Sequence, residues 1–597
     1  MSDKDYNVEK ENNEFIQQNQ DDFIALKSKK AKKNKKVSPY PYIIFSVISL
    51  LFVVVISVVA FTLWKELPQN IVVDVNTYFQ DTRQFVSVED EYIKLDENLV
   101  IDQGEVYVPI EFVKTYIDEY IFYEANSSSV TITNDVNVIK MSTEDLTYYV
   151  NDDILELEIP IISQNDTAYL PINLIENLYD VTLKFNENTN VLSLNYTTSP
   201  SSVANVLEDV KVRYNYTTSS NLTTKLTKGE EVEVYGEYDN YTKIRTSDGL
   251  LGYIPTDKLG EKTLIESTTK SVHIPKNLRD EKITLLWDQI YQYESNKLAN
   301  KQTLPVGVDI VSPTWFKFDD TKLDGTLVSL ADTSYVDAIH NQGGEVWPIL
   351  TDNFNSTISS TILRSPEYRE NTIKQILAFC TLYKLDGINI DFEAVQATDS
   401  EYFIQFLREL YPYMKKSNLI LSVDTFVPSA WSMYYNRKAI AESCDYIAVM
   451  TYDEHTGVSE TTGPVASLNF VNEGILNTLE EVPKNQILMG IPFYTRIWKT
   501  YPNGTFTILN YSMDSAIDLF ERNDATIVDD SVTGYKYATF DYVEDGQNIK
   551  YEAWLEDSDS IKKKLEIYEK HDIAGVALWS RDLEQDDTFE IIHDVVN

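Results

Sequence analysis

Asp386-Gly387-Ile388-Asn389-Ile390-Asp391-Phe392-Glu393 alternates small or polar residues with apolar ones. Side chains along a strand point to opposite faces in turn. Gly387, Asn389, Asp391 and Glu393 therefore share one face, and Ile388, Ile390 and Phe392 share the other. The apolar set suits packing beneath helices, which sends the polar set the other way, with Glu393 at the C-terminal end. Three hydrogen-bonding side chains in one row are expensive to bury unless each finds a partner. The row reads either as a satisfied polar layer or as a reaction centre.

Working outward, from residue 283 apolar strand-like runs alternate with helix-length amphipathic segments, a pattern that predicts a parallel sheet with crossover helices. Eight candidate strands fall at 283–287, 306–312, 346–350, 387–393, 420–426, 446–452, 487–494 and 575–579. Eight strands over the segment 283–597 fit a TIM barrel with insertions, whose chemistry sits at the C-terminal strand ends. On this reading Glu393 lies at the catalytic rim. Trp287, Trp315 and Trp347 either line the cleft or fill the core, Asp424 supports the site from strand five, and Asp386 anchors strand four.

The segment resembles glycoside hydrolase family 18. Members carry Asp-x-x-Asp-x-Asp-x-Glu on strand four, and this chain matches with Asp386, Asp391 and Glu393 but has Asn389 for one Asp. Met450-Thr451-Tyr452-Asp453 resembles the Met-x-Tyr-Asp motif ending strand six. Gly490-Ile491-Pro492-Phe493-Tyr494-Thr495-Arg496 resembles the strand-seven segment, and Trp579 ends strand eight where the family places a tryptophan under the sugar. Val311-Ser312-Pro313-Thr314-Trp315-Phe316 looks like the spore-cortex and cell-wall branch of Gram-positive bacteria.

The resemblance implies a substrate-assisted, retaining glycosidase. In it Glu393 would be the general acid and then base, Asp391 would hold the substrate acetamido N–H, and Tyr452 would bind its carbonyl. Trp579 would floor the sugar site, with Met450, Asp453, Arg496, Asn389 and Tyr494 lining the cleft. Asp391 should raise the pKa of Glu393. Asn389 cannot take a proton, although its amide can donate to Asp391, which predicts an Asp391 that stays ionised. No cofactor is expected: the five histidines (His273, His340, His455, His571 and His593) show no metal-ligand spacing.

Upstream, a polar tail over 1–41 ends in the basic run 27–36, followed by an uncharged apolar stretch, 42–64, long enough for one transmembrane helix. The flanking charges predict a signal anchor with a cytoplasmic N-terminus, the alternative being a cleaved signal peptide. Residues 70–197 hold a repeat: Val106-Tyr107-Val108-Pro109-Ile110 returns as Ala168-Tyr169-Leu170-Pro171-Ile172. This resembles the copper amine oxidase N-terminal module and implies a non-catalytic stalk or wall-contact unit. Residues 204–261, with the turn signal Ser247-Asp248-Gly249 and the closing Gly252-Tyr253-Ile254-Pro255, look like a bacterial SH3-like barrel, often associated with peptidoglycan. Residues 263–281 read as a polar linker.

The formal net charge of −43 argues against a nucleic-acid partner. Cys380 and Cys444 cannot build a disulfide framework and read as buried thiols. The expected fold is α/β, a (β/α)8 TIM barrel preceded by a small all-β SH3-like barrel, an α+β repeat domain and one transmembrane helix. The expected function is membrane-anchored extracellular cleavage of a β-1,4-linked N-acetylglucosamine polymer, peptidoglycan or spore cortex, with the SH3-like unit on the wall. The alternatives are a chitinase and a non-catalytic lectin or scaffold.

Overall fold

The computed structural model describes residues 40–65, 67, 70–80, 84–143, 145–151, 153–157 and 159–596, and of 40–47 and 65 the backbone alone. Eight strands form the barrel: β1 (Ile283–Asp288), β2 (Ile310–Pro313), β3 (Glu345–Val346 continued by Ile349–Thr351), β4 (Gly387–Asp391), β5 (Ile420–Phe426), β6 (Tyr446–Met450), β7 (Ile487–Pro492) and β8 (Gly575–Trp579). Each pairs in parallel with the next, and β8 pairs with β1 through Leu285 and Ala577, which closes the ring.

β3 is interrupted at Trp347-Pro348 because proline brings no N–H to the ladder. Pairing continues through Trp347 N–H to Val311 C=O at 3.0 Å and Asn389 N–H to Pro348 C=O at 2.9 Å. Beneath the site, Gly387 leaves room for the buried Trp347. A Cβ there would come within 3.0 Å of that indole and 2.6 Å of Ile420 O.

Strand seven was expected to run to residue 494 but ends at Pro492. Tyr494 instead begins an antiparallel strand, Tyr494–Thr500, of an inserted five-stranded sheet that carries the helix Met513–Arg522. Its barrel-like apolar run had hidden the change of pairing partner.

The repeat is visible as structure. Glu105–Pro109 and Thr167–Pro171 each lead into a seven-residue helix, and they pair antiparallel through Leu170 and Val108. Rather than standing off as a stalk, this domain lies against two barrel helices that flank β4, α1 (Pro366–Tyr383) and α2 (Ser400–Lys416). Arg369 of α1 is fully buried there between Glu124 of the repeat domain and Glu409 of α2.

The segment read as a linker is also tied down. Thr263–Ile265 adds a strand to the SH3-like sheet, Ser271 donates to Asp180, and Lys276 Nζ donates to the Ala441 carbonyl at 2.8 Å. Its polar residues are partners for neighbouring backbone and carboxylates, which composition alone does not show.

The transmembrane helix is not supported. A helix spans Tyr40–Lys65, yet among the described residues no helix is long and apolar enough to cross a membrane. The expected cytoplasmic tail falls on 1–41, which lies outside the described residues save for 40–41. Cys380 and Cys444 are free and buried.

Candidate active site

β4 delivers its polar face to the barrel axis. Asn389 is fully buried and all its polar atoms are used. Its Oδ1 accepts from the Trp287 indole N–H of β1 at 2.9 Å and the Ser312 hydroxyl of β2 at 3.3 Å. Its Nδ2 donates to Ser422 Oγ at 3.0 Å and Asp424 Oδ1 at 2.7 Å, both on β5. Tryptophan N–H can only donate, which fixes which way the amide faces. The expected donation from Asn389 to Asp391 is therefore absent.

Asp391 is buried, and just past the strand Glu393 is partly buried at the rim. Neither carboxyl has a protein hydrogen bond or an ion pair among the described residues. Burial first, then the charge of Asp352, lifts Asp391 to about 7. Burial, then Asp391, Asp352 and Asp453, pushes Glu393 up to about 9. The expected lift of Glu393 by Asp391 is present, although burial is the larger cause. A persistently ionised Asp391 is not.

Asp352, at the end of β3, was not read from sequence. It accepts from Ser359 Oγ and from the Ala394 N–H, both at 2.8 Å, and so pins the backbone directly after Glu393. Tyr435, also missed, donates to the Phe392 carbonyl at 2.8 Å from the other side. Asp352 lies just past a strand and Tyr435 in the short 3-10 helix Met433–Tyr435, and neither stretch has a period to read. The only available signal was the place of Asp352 just after a strand.

Tyr452 follows β6 and is buried, with its ring edge-on to Trp287 at 6.5 Å between centroids. Burial, reinforced by Asp424, raises its hydroxyl well above its ordinary value. Trp579 ends β8 and packs on Trp287 at 5.6 Å. Trp287 thus lines the centre, whereas Trp315 and Trp347 are core. Next to Trp579, Gln289 donates to Ser580 Oγ at 2.6 Å, and Arg581 reaches the fully buried Asp288, which also binds Lys301 and Tyr335. That cluster anchors the segment following Trp579 and was not foreseen.

On the rim, Asp453 accepts from Arg496 Nη2 at 2.8 Å and from Tyr494 Oη. Arg496 and Tyr494 belong to the inserted sheet, so this trio joins insert to barrel. Met450 is buried at the end of β6. Asp386 sits at the opposite end of β4, binding Val346 N–H at 2.9 Å and His340 Nε2 at 2.8 Å, away from the acids. His455 Nδ1 lies 3.2 Å from the Pro464 carbonyl, a loop contact.

Residues 283–584 match the sequence pattern of Glycosyl hydrolases family 18, half of the chain. This chain belongs to that family. The family 18 barrel is preceded by matches to the Copper amine oxidase N-terminal domain over 70–194 and the Bacterial SH3 domain over 208–259. Among curated relatives, the uncharacterized glycosylase YvbX of Bacillus subtilis is 24% identical over 43% of this chain and 76% of its own length. The cortical fragment-lytic enzyme of Bacillus anthracis is 25% identical over 48% of this chain and 70% of its own. The spore cortex-lytic enzyme SleL of Bacillus cereus, a solved structure, is 21% identical over 56% of this chain and 79% of that one, with a TM-score of 0.47. The family 18 chain is a glycoside hydrolase, and its relatives include cortical fragment-lytic enzymes, a sporulation-specific glycosylase and a probable chitinase.

Proposed function

We propose that this glycoside hydrolase cleaves the β-1,4 bond after N-acetylglucosamine in peptidoglycan or spore cortex, by a retaining, substrate-assisted route. One observation carries the reading: Glu393 stands at the rim without a counter-ion, pushed up to about 9 and so protonated at neutral pH, one strand step beyond Asp391. A group in that state is a general acid.

Glu393 protonates the leaving glycosidic oxygen. The acetamido carbonyl oxygen of the sugar attacks its own anomeric carbon, and the C–O bond to the leaving group breaks as the oxazolinium ring closes. Asp391, as carboxylate, accepts the acetamido N–H and balances the positive ring. Tyr452 Oη donates to the acetamido carbonyl oxygen. Glu393, now ionised, takes a proton from water, which opens the ring from the same face and regenerates the acid. Trp579, held on Trp287, is the apolar floor under the sugar, and Met450 packs at its edge. Asn389, Asp453, Arg496 and Tyr494 shape the surrounding wall.

The wall assignment draws on the names of the relatives and on the SH3-like unit. Tyr216, Tyr238 and Tyr253 cluster there with centroids 5.4–5.6 Å apart, and Tyr216 is 48% exposed. Exposed aromatic faces suit sugar rings. The site of action is accordingly outside the cell.

The test is digestion of purified peptidoglycan and cortex, with chitin oligosaccharides alongside, followed by mass spectrometry of reduced products. New reducing ends on N-acetylglucosamine are expected, with activity lowered about 10²–10⁴-fold in Glu393→Gln. Reducing ends on N-acetylmuramic acid, or equal activity in the variant, refute the proposal. Cleavage of chitin oligosaccharides alone would make the enzyme a chitinase.

A further inference from the structure

After Pro313 the chain of β2 is interrupted at Thr314-Trp315 and resumes as a short strand, Phe316–Phe318, parallel to the second half of β3. The register carries across three strands: Lys317 pairs with Thr351, and Thr351 with Asp391. Residues paired in register share a face of the sheet, so Lys317 stands on the inner face in the row of Asp391. Its neighbours point the other way. Phe316 stacks on Phe379 of α1 at 5.0 Å, and Phe318 meets Phe392 at 5.4 Å, both rings buried on the helix side. Alternation turns Lys317 from them, and it is exposed. Two strand spacings of ~4.8 Å put its backbone about 10 Å from that of Asp391, so its side chain reaches over a sugar next to the one that Asp391 holds.

The charge of Lys317 is uncompensated. Other cations near the strand ends are bound: Arg496 to Asp453, and Lys301 and Arg581 to Asp288. Among the described residues the Lys317 ammonium has no ion pair and no hydrogen bond. The floor of the same cleft holds Asp391 and Glu393, so it disfavours an anionic ligand unless a cation meets the ligand's charge. We propose that Lys317 is a specificity-determining residue that binds a carboxylate on the sugar next to the reacting N-acetylglucosamine, and so selects a muramic-acid glycan over chitin. The inference rests on the wall-polymer reading above. In a strand that alternates N-acetylglucosamine with N-acetylmuramic acid, both neighbours of the reacting sugar are muramic acids. Each carries a lactyl ether whose carboxyl is free or extended by a peptide with carboxylates of its own. Chitin has a neutral hydroxyl at that position and leaves Lys317 without a partner. An ammonium is a compact charge with three donors, which suits a carboxylate that arrives on a flexible ether arm.

The test compares Lys317→Ala, Lys317→Glu and Lys317→Arg on three substrates: soluble peptidoglycan fragments that keep their peptides, glycan strands stripped of peptide so that the lactyl carboxylates are free, and chitin oligosaccharides. On muramyl substrates kcat/KM is expected to fall about three- to fivefold in Lys317→Ala. It should fall about tenfold in Lys317→Glu, where repulsion adds to the lost attraction. The change should lie mostly in KM and shrink at high salt. Lys317→Arg should keep most of the activity, and turnover of chitin oligosaccharides should be the same in all three variants. A loss on stripped strands makes the lactyl carboxylate the partner, and a loss on the peptide-bearing fragments alone makes it the peptide. An equal loss on chitin, or no loss on either muramyl substrate, overturns the proposal.

Binding of the same three ligands to the Glu393→Gln protein separates this from failure of the functional reading. With Lys317→Glu added, affinity for the muramyl ligands should fall about tenfold while affinity for chitin oligosaccharides holds, whatever bond the active enzyme cuts. If the muramyl ligands bind both proteins equally, or neither, the proposal is wrong even where wall cleavage is confirmed.

Discussion

Two places in this chain bury several charges, and they resolve the problem in opposite ways. Where the repeat domain meets the barrel, Arg369 binds Glu124 Oε2 at 2.7 Å and Glu409 Oε1 at 2.9 Å, and Lys140 lies 3.5 Å from Glu409 Oε2. Burial works to raise both acids; Arg369 and Lys140 outweigh it at Glu409, which is held below the ordinary carboxyl range, but not at Glu124, which stays raised. At the barrel centre Asp352, Asp391, Glu393 and Asp424 are gathered with no ion pair among the described residues, and all four are raised, with burial the largest cause. Paired acids meet cations and hold a domain in place. Among the unpaired acids, Glu393 keeps its proton at neutral pH and can donate it. Buried charge alone therefore does not mark an active site; buried charge without a counter-ion does.

The comparison breaks most severely at Arg369. Arg369→Ala would leave Glu124 and Glu409 buried without their cation, and removing one partner of a buried pair costs about 3–5 kcal/mol. Chemical denaturation should show a loss of that size, and hydrogen exchange should rise on both sides of the contact, around Glu124 and along α1 and α2. If stability moves by less than about 1 kcal/mol, the cluster behaves like a surface ion pair and the contrast with the barrel centre loses its first half.

The second half is tested by pH. Asp391 must be ionised and Glu393 protonated for the proposed chemistry, and they titrate in the free protein near 7 and near 9. kcat/KM reports free-enzyme groups and should be bell-shaped, falling about tenfold per unit below the acid limb and above the basic one. The limbs belong to the coupled set rather than to single residues. A plateau extending down to pH 5 would mean that the acids are paired by something the structure does not place beside them.

Much of the barrel centre was legible in sequence because strand periodicity is local. The alternation from Gly387 to Glu393 puts the acids on one face whatever surrounds them, and the family motifs at Met450 to Asp453 and at Trp579 mark two more strand ends. Partner identity was not legible. Asn389 was expected to serve Asp391, its neighbour along the strand, but a strand brings i and i+2 onto one face without bringing their polar atoms together, and the amide crosses the barrel to Ser422 and Asp424. Asp352 and Tyr435 hold the backbone on either side of Glu393 from short connecting segments with no period to read. The interface at Arg369 was invisible for the same reason: residues 245 positions apart meet there, and an amphipathic helix looks alike whether its polar face meets water or another domain. That is why the repeat domain read as a stalk.

The smallest expected effect is the most discriminating, because it concerns one residue in two roles. Glu393 keeps its proton in the folded chain up to about pH 9, against an ordinary value of 4.5 once unfolded. Between those values the native state binds the extra proton, so unfolding free energy falls as pH rises across the window. At pH 8 the fold bears a carboxyl whose ionisation is favoured only in the unfolded chain. Gln has no proton to keep, so Glu393→Gln removes that penalty while removing the acid. The melting temperature of the variant at pH 8 should rise, and the gap should close as pH falls below 4.5, where both states of the wild type are protonated. Arg369→Ala should melt lower at both pH values. An active centre built from unpaired acids is a strained region that its own inactivation relaxes, whereas a paired cluster can only be weakened. A Glu393→Gln variant that melts lower at pH 8 would place Glu393 with the paired acids and remove the ground for calling it the proton donor.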